Sequence, residues 1–369
     1  MKGLDWAALT EQYLQLASAA RTSEEFDMVA NRMLGELNAS HLGITSPASA
    51  PDRQPLGRLG VTTAPVEGGL QVVSILPEGP AEKSPTPLRV DDVIVAVAGT
   101  PLDPRKTLEE HLRGRSGEET LVTVRRRMDG GAESTLQCLL VPCSAGEQSD
   151  LAYKARRLRA ASQVAEWSGG RLGYIHIQSM NQPSLDEFER DLYAAAEGCE
   201  GLIIDVRNNG GGWTADRLLS SIMAPAHAYT VPRGADPSYT LGYPRDRLFI
   251  QRYTLPINML CNEKSFSNAE ITAHAFKTLK RGTLVGQTTY GGVISTGGFR
   301  LLDGTSVRMP FRGWYLPDGT DMENHGAVPD LLVPQTPEDE SKEWDAQLNA
   351  AVADLMKRVP GKGKRSTDP

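Results

Sequence analysis

The spacing of apolar and polar positions changes along the chain and divides it into segments of different texture. Up to about residue 45 the period is helical. Two helices are predicted there. In the second, Thr22 and Glu25 have capping-box spacing, and Phe26, Val29, Ala30, Met33, Leu34 and Leu37 recur at three and four residues, predicting one apolar stripe. Pro47 to Pro55 breaks all periodicity and reads as a linker. From Leu56 to Pro142 short strands alternate with turns: residues 69–76 as a strand, 77–80 as a turn into a short helix, 91–99 as strand and turn. Residues 146–168 are polar, helix-prone and read as a connector.

Beyond the connector the pattern becomes α/β. Residues 173–177 read as a strand, 184–196 as a helix and 201–206 as a buried strand, which implies a βαβ crossover. Residues 225–250, rich in Pro, Gly and Tyr, read as a long loop. An apolar run, 255–261, enters a short polar crossing, and a helical pattern starts near Ala269 with Ile271, Ala275, Phe276 and Leu279 on one face. Residues 282–298 are glycine-rich with two short strands, and 301–311 predict a hairpin around Asp303-Gly304. A closing helix with Trp344, Leu348, Val352 and Leu355 on one face precedes a tail expected to be disordered. There is no internal repeat.

At 369 residues the chain has room for two or three compact units of about 100 to 200 residues each. A net charge of -7 and a pI near 5.5 disfavour nucleic-acid binding. The basic runs, Arg125-Arg126-Arg127 and residues 362–365, read as a solvated strand end and a tail. Four cysteines, Cys138, Cys143, Cys199 and Cys261, lack C-x-x-C spacing, so neither a metal site nor a disulfide framework is indicated. No window approaches 18 uncharged apolar residues, so no membrane span is expected, and Asp5 stands where a signal peptide needs an apolar core. As written, the chain reads as cytoplasmic; a piece cut from a longer exported precursor would void that reading.

Candidate chemistry centres on Ser267, in the crossing between the run 255–261 and the helix that follows. A serine there can hold its hydroxyl clear of the backbone, beside the unpaired N–H groups of a helix N-terminus. Ser and Asn are also favoured N-caps, so this stretch alone leaves capping and nucleophilic catalysis both open. His41, just past a predicted helix, has a similarly plain reading as a helix-end residue. Gly210, Gly211 and Gly212 follow a buried strand, where glycines let the backbone approach a ligand and turn N–H groups inward. Neither G-x-G-x-x-G nor G-K-S/T is present, which argues against a nucleotide loop.

Two resemblances sharpen these readings. V-V-S-I-L-P-E-G-P-A-E-K-S followed by L-R-V-D-D-V-I-V-A-V-A-G-T-P-L resembles a PDZ domain of the bacterial protease type, departing from it at Val90, where such domains usually have glycine. That resemblance makes Leu59, Gly60 and Val61 the loop whose N–H groups would hold the C-terminus of a peptide ligand. Together with E-L-N-A-S-H, G-L-I-I-D-V-R-N-N-G-G-G, N-E-K-S-F-S-N-A-E, T-Y-G-G-V and E-N-H-G-A-V-P-D, the whole chain resembles the tricorn protease family, serine peptidases related to the C-terminal processing peptidases. The β-propeller domains that precede this core in full tricorn proteases are missing from the sequence.

The resemblance implies a ClpP/crotonase-like αβ catalytic domain with an N-terminal helical part (1–47), an inserted PDZ domain (56–145), a connector (146–168), the catalytic domain proper (169–358) and a tail (359–369). It implies Ser267 as nucleophile, His41 as general base, Glu323 as the supporting acid and Ser40 as the serine that couples Glu323 to the imidazole. The N–H groups of Gly211 and Asn268 would form the oxyanion hole. A related branch uses a lysine base in the glycine-rich strand, but Gly291-Gly292-Val293 stands there. His274 is seven residues along the helix from Ser267, displaced by about 10 Å. His325 is a possible neighbour of the site, His176 a core or rim residue, and Ser265 a decoy nucleophile. The expected substrate is a peptide or unfolded protein segment, with self-association, no cofactor and no metal. A non-catalytic peptide-binding scaffold is the alternative, and ester or acyl-transfer chemistry on the same groups is a third reading.

Overall fold

The structure is a computed structural model and describes residues 3–47, 54–103, 105–128, 130–223, 228–230, 241–243 and 253–359. Two units are present, one of residues 1–48 and 160–369, the other of residues 49–159.

The first unit is built on a parallel sheet. Its strands run in the order Leu331–Leu332, Gly282–Gly286, Ile257–Cys261, Gly201–Asp205, Leu172–His176. The inner strands Ile257–Cys261 and Gly201–Asp205 and the edge strand Leu172–His176 are buried at every position, as near-continuous apolar runs require when helices cover both faces. Leu202, Ile204, Met259 and Cys261 face Phe188, Leu192 and Phe276, which come from helices Gln182–Ala194 and Asn268–Thr278. Ile203, Leu260 and Val285 face the opposite way, onto Ala160, Val164, Leu348, Val352 and Leu355. The predicted strand–helix–strand is therefore present, with Leu172–His176 and Gly201–Asp205 adjacent and parallel.

A second, three-stranded antiparallel sheet of this unit carries the order Gly43–Thr45, Ser306–Gly313, Ile294–Arg300. The strand Gly43–Thr45 has no sequence signature, because three residues are too few for a period, and it ties the N-terminal segment to residues 306–308. Its hairpin partner differs from the expected one. The first arm is Ile294–Arg300, and residues 301–305 form the turn.

Three further expectations need correction. The stripe on helix Ser23–Gly35 is poorly covered, with no residue of the helix buried and Phe26 45 % exposed, because its partners are only the helix Trp6–Ser18 and the three-residue strand Gly43–Thr45. The connector is one helix, Ala145–Ser168, and the boundary between the units falls inside it, since Ala160 and Val164 join the core of the first unit. Trp344 lies before the closing helix Ala346–Met356 and packs on Trp167 instead. Most of the predicted loop 225–250, most of the linker and residues 360–369 of the tail lie outside the described residues; two short paired strands, Ala228–Thr230 and Leu241–Tyr243, fall within the loop.

The second unit is an antiparallel sheet in the order Val61–Val66, Gly69–Ile75, Val93–Val97, Thr120–Arg127, Glu133–Leu140. Short helices Pro80–Lys83 and Leu108–His111 supply Ala81 and Leu108 to a core with Val72, Ile94, Val122 and Leu140. Arg126 is not a solvated strand end. Its guanidinium donates twice to Asp92, at 2.7 Å each, and Asp92 is buried.

Candidate active site

Strand Ile257–Cys261 leaves the sheet through a tight turn that delivers Ser267 to the start of helix Asn268–Thr278. Ser265 is fixed inside this turn. It is wholly buried and its hydroxyl donates to Val206 O at 2.8 Å, so it is not exposed to a substrate. The Phe266 N–H donates to Asn209 O at 2.9 Å, tying the turn to the glycine loop. Ser267 has φ 57° and ψ −118°. An ordinary N-cap is extended, so a non-glycine residue held here carries strain of about 1–3 kcal/mol and requires support.

That support is Glu270, which the sequence reading missed. Its side chain is completely buried, yet its carboxylate accepts four hydrogen bonds. Oε1 takes the N–H of Ser267 and Gly292 at 2.9 Å each, and Oε2 takes Thr289 Oγ1 at 2.6 Å and the Gly291 N–H at 2.5 Å. Thr289 Oγ1 in turn accepts the Ala327 N–H, and Gly291 O accepts the Asn324 N–H. One carboxylate thus links the serine turn to the segment carrying Glu323. The signal was available as an acid three residues after a helix-capping serine.

The structure brings three of the resemblance-implied side chains into one chain of contacts. Ser40 Oγ donates to Glu323 Oε2 at 2.9 Å, the Ser40 N–H donates to Oε1 at 2.5 Å, and Ser40 Oγ lies 2.9 Å from His41 Nδ1. A hydroxyl has one proton. Since that proton goes to the carboxylate, Ser40 Oγ accepts from Nδ1–H, which leaves a bare lone pair on Nε2. His41 sits at φ 61°, and its ring stacks on Phe266, the residue before Ser267, at 4.5 Å between centroids and 14° between planes. Burial, and then the positive field of Arg308, hold the imidazole below its ordinary range for protonation; Glu323 opposes them.

The glycine loop follows strand Gly201–Asp205. Arg207 anchors its base, pairing with Asp205 at 2.7 Å and with Asp345 at 2.8 Å. Burial alone would raise the Asp205 carboxyl; Arg207 outweighs it and holds the group below its ordinary range. Gly211 has φ 89° and is packed so closely that a Cβ would lie 2.7 Å from Ser267 Cβ and 3.0 Å from the Asn268 N. Only glycine fits. Its N–H is not free, as the resemblance would have it, but donates to Asn209 Oδ1 at 2.8 Å. Asn268 is the first residue of its helix, so its N–H has no intrahelical acceptor, while its Oδ1 accepts the Ala215 N–H at 2.8 Å.

The other histidines have separate positions. His274 Nε2 lies 3.1 Å from His325 O, His325 Nδ1 lies 3.1 Å from Glu323 O, and His176 Nε2 lies 3.0 Å from Arg207 O. In the second unit the Gly60 N–H donates to Gln148 Oε1 at 3.1 Å, Leu59 is buried in the core, and Val61 begins an edge strand. All four cysteines are free thiols. Among the described residues no group of His, Cys, Asp and Glu is arranged to hold a metal ion, and no helix is long and apolar enough to cross a membrane.

A half-buried serine at a strained strand-to-helix turn, next to a phenylalanine that stacks on the histidine of a carboxylate–serine–histidine arrangement, is compatible with a serine peptidase. Comparison with known families agrees: the peptidase family S41 model matches residues 171–333, and the tricorn protease C1 domain model matches residues 1–35. The chain belongs to the tricorn branch of these serine peptidases. It is 33% identical over 365 residues to tricorn protease homolog 1 of Streptomyces coelicolor, covering 96% of this chain and 33% of that protein. It is 30% identical over 366 residues to the tricorn protease of Thermoplasma volcanium, covering 94% of this chain and 34% of that protein. A crystal structure of the tricorn protease superposes over 95% of this chain and 34% of its own, with a TM-score of 0.75 at 25% identity. The chain therefore spans about a third of the length of these relatives.

Proposed function

We propose that this chain hydrolyses peptide bonds through an acyl-enzyme formed on Ser267. The observation that carries the proposal is the Glu323–Ser40–His41 relay, which fixes the imidazole with Nε2 unprotonated and stacks it beside the nucleophile turn. His41 Nε2 takes the Ser267 proton as Oγ attacks the carbonyl, and returns it to the leaving amine. Glu323, through Ser40, favours the imidazolium that forms between these events. A water then attacks the acyl carbon as the same nitrogen takes its proton, and the bond to Ser267 Oγ breaks as that proton passes to Oγ, freeing the carboxylic acid product.

The tetrahedral oxyanion is held by the Asn268 N–H and by the glycine loop. The Gly211 N–H, directed at a neutral amide oxygen in the resting site, turns to the oxyanion, since a charged acceptor makes a hydrogen bond roughly twice as strong. The second unit is a PDZ-type module for a peptide C-terminus at Leu59-Gly60-Val61, with Gln148 seated on that loop in the free protein. Self-association, implied by the resemblance, is checked by light scattering.

The experiment is turnover of a mixed fluorogenic peptide library by wild type beside Ser267→Ala and His41→Ala. Both variants are expected at background. Library peptides that bind but remain uncleaved by all three proteins would favour a binding module.

A further inference from the structure

The three-stranded sheet beside His41 has two unlike faces. Cross-strand partners share a face, so the registers Gly43↔Arg308↔Gly298 and Thr45↔Ser306↔Arg300 put both arginines on one side, with a glycine on each flank of Arg308. The intervening row, Ile44, Val307 and Phe299, points the other way. Over the arginine face lies an open cavity of about 850 Å³ that reaches from His41 to Arg300. Its wall contains Asn31 but no acidic residue. Arg308 Nε donates to Thr296 Oγ1 at 3.2 Å, and among the described residues neither Arg308 nor Arg300 has a carboxylate partner. Two uncompensated guanidinium groups therefore border a trough that has glycines in its floor and the proposed base at one end.

We propose that this trough is a substrate subsite that selects peptides with an acidic side chain near the scissile bond, Arg308 pairing with the carboxylate and Arg300 adding to the field. The proposal rests on the peptidase reading of the site. A planar guanidinium pairs with a carboxylate through two parallel hydrogen bonds; a Cβ at Gly298 would meet only Val307 O at 3.4 Å, which leaves room for a peptide backbone on that side of Arg308, while Asn31 Oδ1 covers Gly43 on the other. Because both arginines are exposed, their contribution is selectivity and capture more than raw affinity. The charged groups acting on His41 are Arg308 and Glu323. A carboxylate bound to Arg308 cancels part of its field, so an acidic substrate also strengthens the base that processes it.

The test uses binding to the uncleaving Ser267→Ala chain. Fluorescent peptides carrying one Glu, walked through positions on both sides of a cleavage site, are compared with their Gln counterparts, each with a free or amidated C-terminus. The expected result is one or two positions where Glu binds about tenfold tighter than Gln, a preference lost in Ser267→Ala/Arg308→Gln, partly kept with Arg308→Lys, and independent of amidation. Equal binding of Glu and Gln peptides, or a preference untouched by Arg308→Gln, overturns the proposal. So does a preference that disappears on amidation, which would assign the site to a terminal carboxylate. Labelling of Ser267 in wild type by a fluorophosphonate tests the peptidase reading separately, so the failure of one is distinct from the failure of the other.

Discussion

Two loops in this chain were expected to offer backbone N–H groups to a negatively charged oxygen, and in both an amide side chain occupies a donor. At Gly211 the acceptor is Asn209, two residues away, buried, and itself anchored by Nδ2 donating to Ile177 O at 2.8 Å. At Gly60 it is Gln148, which is 88 residues away on a polar helix. Asn209 is part of the scaffold that shapes its loop, and when the Gly211 N–H turns to an oxyanion, as proposed, Asn209 stays anchored through Ile177 O. On the proposed PDZ reading, Gln148 occupies the position where a ligand's terminal carboxylate would sit, and is a competitor. The same contact thus has opposite meanings, decided by how the acceptor is held.

The comparison breaks most sharply at the glycines themselves. Gly211→Ala would place a Cβ 2.7 Å from Phe266 O, at a φ of 89°, and is expected to lower kcat/KM by at least 10²- to 10³-fold, read in steady-state peptide hydrolysis. Gly60→Ala meets only ordinary contacts at 3.4–3.5 Å, at a φ of 70°, and is expected to leave hydrolysis of short peptides within about twofold, at the cost of backbone strain of about 1–2 kcal/mol in thermal unfolding.

Glu270→Gln tests whether the nucleophile turn is held as rigidly as the contacts suggest. An amide NH₂ would face at least one backbone N–H across a contact that Glu270 now accepts. Thr289 can rotate its hydroxyl, but an N–H cannot turn acceptor. We expect a stability loss of about 2–4 kcal/mol by denaturant unfolding, and kcat falling more than KM changes. Asn209→Ala removes an acceptor for one buried group and a donor for another, with a loss of about 1–3 kcal/mol. Gln148→Ala should change stability by less than about 0.5 kcal/mol and tighten binding of a C-terminal peptide several-fold, measured by fluorescence anisotropy. A loosened peptide would make Gln148 part of that loop's scaffold after all.

The pH dependence sharpens the proton relay. A base held below its ordinary range stays neutral to more acid conditions, so the acid limb of kcat/KM should lie below pH ~6.5. Arg308→Gln removes a positive field and should move that limb to higher pH; Glu323→Gln removes the opposing charge and should move it lower.

Much of the first unit was legible because its elements are long and periodic. Leu202, Ile204 and Met259 sit in apolar runs that only a buried parallel strand satisfies, and the predicted strand–helix–strand order is present. Ser267 was legible as a position but ambiguous in role, since its left-handed φ is not written in the residue type. The pairing of Ser40 with Glu323 spans 283 residues and was reachable only through the family resemblance. Glu270 escaped because an acid in the first helical turn has an ordinary explanation as a capping partner, and its bonds to Gly291 and Gly292 arise from tertiary packing. Strand Gly43–Thr45 was too short to show a period, yet it draws the His41 segment onto residues 306–308.

In the proposed mechanism His41, steadied by Ser40 and Glu323, activates Ser267. The most direct measurement is the rate at which a fluorophosphonate modifies Ser267, located by peptide mass spectrometry, in wild type, His41→Ala and Ser40→Ala across pH 4–9. Rapid modification of wild type with a midpoint below pH ~6.5 is expected, with a loss of about 10³-fold or more in His41→Ala and a smaller loss in Ser40→Ala. Modification of His41→Ala at the wild-type rate, or of a residue other than Ser267, would contradict that mechanism.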